Sequence, residues 1–419
     1  MPISLPCYNP HMPPEVPPRS SLPPGIAGDL MHRYSLQQQR RLARERLLLT
    51  SWRWRYALSH PPAPPAEQPV RTILLVERLL RWGDSLVAQP ARRLIRQLYP
   101  EAHIVSLCLP ASRPVVACDP AVAEILECPP AALLHQGKLI AELRSRHFDL
   151  AYVLVSDAVS LMLPWRAGIP RSIGYDFNGR GFALSEPRQP SPAANFPAWH
   201  SPPPMPVPHV TRLWADLVEP GAAIFPPSIA LDEATRAKGE QVWSFAPPDA
   251  VRLIIHPGAS SANYTWSPDH WRALGEILDK RFSNLAVLVT GSAAEREFVQ
   301  ETMRGWNFPH RIVAGELDFL TLAAAVAHAH ATVGPDTSIG HIAAAVGTPA
   351  AVLFGPGDHR MWRPAGPAIV VRNNSECWGC KRPLCFQPFT MCTAMTTVEA
   401  MADAVEACLA GKARPPEAL

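Results

Sequence analysis

Three short segments in the second half of this 419-residue chain place Gly, Ser and Thr where an apolar run gives way to a helix-forming stretch. They are HPGAS (256–260), TGS (290–292) and GPDTS (334–338). Backbone N–H groups at such a junction have no partner inside the following helix, and the aligned peptide dipoles favour an anion there. Gly and Ser also simply make turns, so any one segment says little. Three at the same edge of one sheet point to a phosphorylated ligand. Neither G-x-x-x-x-G-K-[ST] nor G-x-G-x-x-G occurs, which argues against a P-loop NTPase and a typical NAD enzyme. In the first half, RWGDS (81–85) sets Asp84 between an apolar run and a helical pattern. On spacing alone an aspartate there reads as the N-cap of that helix. Cys377, Cys380, Cys385 and Cys392 fall within sixteen residues. Four thiols have the number and softness for a structural zinc or iron site. The alternative is a Cys-rich loop with buried thiols.

The elements that must hold these residues alternate. RTILLVERL is a short apolar run read as a buried strand, RWGDS a loop, and PARRLIRQLYP a helix with Leu94, Ile95 and Leu98 on one face. HIVSLCL (103–109) reads as a strand, AVAEILEC (121–128) as a helix, KLIAELRSRHF as a helix and DLAYVLV (149–155) as a strand. Residues 186–208 and 219–230 break the pattern. It resumes with strands at 252–258, 285–291, 310–315, 331–336 and 350–356, separated by helices and closed by TTVEAMADAVEACLAG. Alternation at this spacing means βαβ units and parallel sheets, with ligands outside the carboxyl ends of the strands.

Composition bounds the rest. An apolar share of 47% and a charged share of 18% fit a globular protein with a large core and exclude wholesale disorder and coiled coil. A net charge of +3 is too mild to argue for nucleic acid. No run of 18 apolar residues predicts a membrane span, and the first residues lack a signal-peptide pattern, so a cytoplasmic protein is expected. The chain has forty-nine prolines, and much of this proline sits in two stretches, the N-terminus and 186–208. Residues 1–70 read as a Pro-rich disordered stretch followed by a basic helix over 35–58 that bears two tryptophans. Two readings fit that helix: packing on the protein or an oligomer interface, or lying on the inner-leaflet surface.

GPDTSIGHIAAAVGTPAAVLFGPGDHRMWRP (334–364) resembles the signature of the ADP-heptose:lipopolysaccharide heptosyltransferases, glycosyltransferase family 9. Three other segments resemble the family in the right order: RLLRWGDSLVAQPARRLIRQLYPEA, FDLAYVLVSDAVSLMLPWRAGIPRSIGYDFNGRGFAL and HPGASSANYTWSPDHWRALGEIL. The resemblance implies a GT-B type α/β fold. Two Rossmann-like, doubly wound parallel-sheet domains (71–225 and 226–419) face each other across a cleft behind the N-terminal extension 1–70. The first domain takes the acceptor and the second the nucleotide-sugar. The implied reaction is inverting and needs no catalytic metal.

The resemblance also implies roles. Asp84 matches the family's Gly-Asp aspartate, the general base. Asp336, Thr337, Ser338, Ile339 and His341 match its diphosphate and sugar segment, and His256, Ser260, Ser261 and Tyr264 lie on the donor side. Arg78, Arg81, Arg171 and Arg180 match acceptor-side loops. The chain departs twice: Ser338 stands at the family's Gly, and Tyr264 stands at a phosphate-binding Lys. The expected partners are a nucleotide-sugar, ADP-heptose first, and a saccharide or lipid-linked acceptor, with contact at the inner face of the inner membrane. Tyr264 keeps open a different donor or acceptor, or a non-catalytic binding subunit.

Overall fold

The computed structural model describes residues 47, 49–59, 69–79, 81–128, 137–190, 207–373, 379, 380, 385 and 391–417. The Pro-rich segment 1–32, the first part of the expected basic helix and Cys377 lie outside these residues. The chain divides into two units. Unit 1 holds residues 1–196 and 211–224, and unit 2 holds residues 197–210 and 225–419.

The described residues of unit 1 begin with helical Leu47 and a helix over residues 49–59, together called α1. There follow β1 (Thr72–Glu77), α2 (Trp82–Val87), α3 (Gln89–Leu98), β2 (His103–Cys108), α4 (Arg113–Val116), β3 (Glu124–Glu127), α5 (Gly137–Ser145), β4 (Leu150–Val153), α6 (Ala158–Ala167), β5 (Arg171–Tyr175) and β6 (Glu186–Arg188). Helix α7 (Val210–Val218), from Thr211 on, closes the unit: Tyr175 Oη donates to Leu213 O at 2.6 Å. The sheet is parallel throughout, in the order β3-β2-β1-β4-β5-β6. Its central strands are buried on both faces, which is why TILLVE and LAYV read as unbroken apolar runs. Leu74, Val76, Val105, Leu107, Ala151 and Val153 form the core with Leu161, Met162 and Leu163 of α6.

Unit 2 repeats the plan: α8 (Glu233–Val242), β7 (Val251–Ile255), α9 (Pro268–Arg281), β8 (Leu285–Val289), α10 (Arg296–Thr302), β9 (His310–Ile312), α11 (Phe319–Ala327), β10 (Ala331–Pro335), α12 (Ser338–Val346), β11 (Ala350–Leu353), α13 (His359–Trp362), β12 (Ala368–Val371), α14 (Met391–Ala394) and α15 (Val398–Leu409). Its parallel sheet runs β12-β11-β10-β7-β8-β9. Three tryptophans fill its interior with their N–H groups bonded: Trp243 to Ala325 O, Trp266 to Thr393 O and Trp271 to Thr265 Oγ1. In each sheet the strand order reverses once, between β1 and β4 and between β7 and β10. Doubly wound folds open their ligand crevices at those points.

The structure corrects four local readings. Residues 81–85 are not a loop: α2 starts at Trp82, and its weak helix formers Gly83 and Ser85 are held by burial. The pattern read as a helix over 121–128 contains β3 instead. Val122, Ile125 and Leu126 fit a helical stripe, but pairing with β2 decides the outcome. Leu98 is 42% exposed, outside the buried stripe of Leu94 and Ile95. The segment 186–208 opens with β6, which pairs with β5.

Candidate active site

In unit 1 the loop after β1 leads straight into α2. Arg81 is the N-cap residue of α2, and Asp84 is the third residue of the helix rather than its cap. The Asp84 carboxylate reaches back and accepts from the Arg81 backbone N–H. That is the N3 half of a capping box. Burial pushes the Asp84 carboxyl above the ordinary aspartate value, and the charge and N–H of Arg81 pull it partway back.

A buried network, missed by sequence reasoning, anchors this turn. Arg92 of α3 donates to Glu77 Oε2 (2.5 Å), Asp119 Oδ2 (2.6 Å) and Ser85 O (3.0 Å). Ser106 Oγ donates to the other Glu77 oxygen at 2.6 Å. Burial disfavours the charge on Arg92, but Glu77 and Asp119 more than offset it, so the guanidinium stays charged. The signal in the sequence was an arginine on the buried face of an amphipathic helix, one turn from two apolar positions.

Of the four acceptor-side arginines, three stand at the carboxyl edge of the sheet and Arg171 does not. Arg78 follows β1 at the carboxyl edge, nearly buried, with Nη1 donating to Ser160 Oγ (2.8 Å) and lying 3.7 Å from Asp157 Oδ1. Arg81 is at Asp84. Arg180, also buried, follows β5 at the same edge. Arg171 is the first residue of β5, at the opposite edge, and pairs with Glu186 at 3.0 Å.

In unit 2 the loops after β7, β8, β10 and β11 converge at the carboxyl edge. His256 Nδ1 lies 2.9 Å from Thr290 Oγ1, joining the loops after β7 and β8. Burial holds the His256 imidazole below its ordinary pKa, against the pull of Glu295. Ser292 N and Oγ both donate to Glu295 Oε2 at 2.7 Å, and that carboxylate fills the space where Gly258 would carry a Cβ. Ser261 N-caps a single 3-10 turn, Ala262–Tyr264, and Ser260 beside it is exposed. Ser261 Oγ donates to Asn263 Oδ1 at 2.6 Å.

Thr337 is the N-cap residue of α12, but its hydroxyl donates to Pro335 O (3.3 Å) instead of capping the helix. The first-turn amides of α12 are therefore not capped by that side chain, as an anion site at a helix start requires. Asp336 packs its carboxylate against Gly357 of the next loop, where any side chain would collide with it. Ile339 and His341 are buried in the first turns of α12. Burial, reinforced by His209, pushes the His341 imidazole down to about 3, so it is neutral at ordinary pH and offers a hydrogen bond but no charge. Around the loop after β11, burial and then the charges of Arg372, Arg360 and Arg363 push His359 down to about 4, with Asp358 opposing.

The sequence model of glycosyltransferase family 9 (heptosyltransferase) matches residues 136–388, more than half of the chain. The chain belongs to glycosyltransferase family 9. Lipopolysaccharide heptosyltransferase 3 of Escherichia coli is 34% identical over 119 residues, 28% of this chain and 35% of that relative. This chain thus matches about a third of that relative's length. Lipopolysaccharide heptosyltransferase 2 of E. coli is 26% identical over 288 residues, 65% of this chain and 80% of the relative. The structure of E. coli ADP-heptose lps heptosyltransferase II shares the fold, with a TM-score of 0.65 at 21% identity over 82% of this chain and 99% of that one. The family 9 match takes in β4 through β12, and so the carboxyl edge of unit 2 and the β4–β6 part of that of unit 1, but begins after Asp84.

Of the four cysteines, Cys377 lies outside the described residues. Cys380 and Cys385 are half-buried and Cys392 is buried. Among the described residues no three His, Cys, Asp or Glu side chains come together as a metal site.

Proposed function

We propose that this family 9 chain transfers heptose from ADP-heptose to a lipopolysaccharide inner-core acceptor, with inversion and without a catalytic metal. The observation that carries the reading is the start of α12, where Asp336 and the first-turn amides stand at the carboxyl edge of the β7/β10 switch point. In this reading Asp84 takes the proton from the acceptor hydroxyl, whose oxygen attacks the anomeric carbon from the face opposite the diphosphate. The new C–O bond forms as the bond to the diphosphate oxygen breaks, and ADP leaves. Backbone N–H groups of Thr337, Ser338 and Ile339 and the α12 dipole stabilise the developing charge. Asp336 accepts from sugar hydroxyls. His256, Ser260, Ser261 and Tyr264 line the donor, and neutral His341 bonds a phosphate oxygen. Arg78, Arg81 and Arg180 serve an anionic acceptor. A lipid-linked acceptor places the enzyme at the cytoplasmic face of the inner membrane.

ADP release from ADP-heptose, with and without a heptose-less lipopolysaccharide acceptor, tests the reading beside Asp84→Ala. Acceptor-dependent release, lowered on the order of 100- to 10,000-fold in the variant, is expected for loss of a general base. Release that survives the substitution would leave Asp84 with its capping role alone. No release from wild type would move the donor to another nucleotide-sugar, which a donor panel identifies.

A further inference from the structure

Helix α1 has two unlike faces. The inner face is docked on unit 1. Trp52 and Tyr56 pack against the core, with Tyr56 edge-on to Trp165 at 5.6 Å and to Phe182 at 5.9 Å. Arg53 Nη2 donates to Gly179 O at 2.6 Å, and its guanidinium lies 5.2 Å from the Phe182 ring centre. Trp165 Nε1 donates to Ser59 Oγ at 3.2 Å. The helix is thus fixed to the domain by apolar, aromatic and polar contacts on one side.

The outer face repeats at helical spacing. At about 100° per residue, Leu47, Ser51, Trp54 and Leu58 form one narrow stripe opposite Trp52 and Tyr56. Leu47, Trp54 and Leu58 are 72%, 69% and 73% exposed. Half of the large apolar side chains exposed among the described residues belong to this one short helix. Arg55 borders the stripe. Arg166, 5.9 Å from the Trp52 ring, is held below its ordinary pKa by burial and then by the Arg55 charge, so two like charges sit together at this rim. Residues 47–59 contain no Asp or Glu.

We infer that the outer stripe of α1 docks unit 1 on an anionic lipid bilayer. Trp54 inserts at headgroup depth, Leu47 and Leu58 reach the acyl boundary, and Arg55 and Arg166 meet lipid phosphates. Apolar side chains flanking a tryptophan and rimmed by arginine have the composition of interfacial helices. No helix among the described residues is long and apolar enough to cross a membrane. A second copy is the weaker occupant: three side chains fall short of the roughly 800 Å² per partner that a stable dimer buries. The rim would also set arginine against arginine. The choice of a bilayer rests on the lipid-linked acceptor proposed above, whereas the surface itself does not.

Co-flotation of the full chain with vesicles, with no sugar present, tests the surface. Wild type is expected to float with phosphatidylcholine vesicles containing phosphatidylglycerol, to bind pure phosphatidylcholine at least tenfold more weakly, and to release in high salt. Trp54→Ser/Leu58→Ser is expected to lose at least tenfold in partitioning, and Arg55→Gln a smaller factor. Both variants should keep the wild-type melting temperature and ADP release on a delipidated acceptor. Wild type that does not float overturns the inference, as do variants that float equally well. So does a wild-type dimer in light scattering that the double variant dissolves, because a second copy then covers the stripe. Flotation without any transferase activity upholds the surface and sinks only the proposed reaction.

Discussion

Asp84 shows how one side chain can answer to two demands. As the third residue of α2 it satisfies the Arg81 N–H, and as a base it must be ionised. Burial opposes ionisation and Arg81 supports it. The acid limb of kcat/KM should therefore lie above the ordinary aspartate pKa of about 3.9. Arg81→Met removes the supporting charge and should move that limb to higher pH, with the alkaline side unchanged. A pH profile of the two proteins on ADP-heptose and acceptor checks this, and a limb that stays in place or moves down would count against Asp84 as the titrating group. The motif alone put Asp84, Asp336 and His341 on view. It left Arg92 hidden, because an arginine with two carboxylates from β1 and the loop after α4 is assembled by tertiary folding. It also hid that His341 is neutral, since burial and the nearness of His209 arise only when α12 packs.

At the scale of elements, long apolar runs such as LAVLV were plain in the sequence, because a strand buried on both faces has no polar positions to blur it. Short or half-buried pieces were not. Strand β3 is four residues on a sheet edge, and α2 contains Gly, Asp and Ser, which favour turns in isolation. In both places packing overrode local preference. Gly239 in α8 carries the same lesson into energetics. On propensity alone, Gly239→Ala should stabilise the helix by roughly 1 kcal/mol. The added Cβ would sit 2.5 Å from the Ala324 carbonyl carbon and Cβ of α11, however, where backbone cannot move aside cheaply. Overpacking costs about 1–3 kcal/mol, so packing wins and the substitution should destabilise. Urea unfolding measures the sign directly; a more stable variant would mean that α8 and α11 separate with little loss.

At the scale of the whole molecule, the buried histidines of unit 2 and the buried carboxyls Glu77 and Asp84 of unit 1 shift in directions that give acid opposite effects on the two units. In unit 2 burial depresses His209, His341 (to about 3) and His359 (to about 4). Unfolded, each would titrate near 6.5. Above that pH both states are neutral and the stability is intact. As pH falls from 6.5 toward 4, the unfolded chain takes up protons that the folded unit refuses, and stability drops by about 1.4 kcal/mol per pH unit for His341, with His209 and His359 adding in the same direction. In unit 1 burial raises Glu77 and Asp84 instead, so their protonated forms favour folding in acid, and that contribution is lost as pH rises through their folded pKa values. Between pH 7 and 5, unit 2 should therefore open first. Hydrogen exchange, corrected for the intrinsic rate, should show β7, β10 and α12 losing protection while β1 and β4 keep theirs. His341→Gln should flatten the dependence for unit 2 by about one proton's worth of slope. Equal loss in both units, or a variant with the wild-type slope, would mean that these imidazoles do not govern acid stability and that exposed carboxylate pairs such as Arg252–Glu240 do.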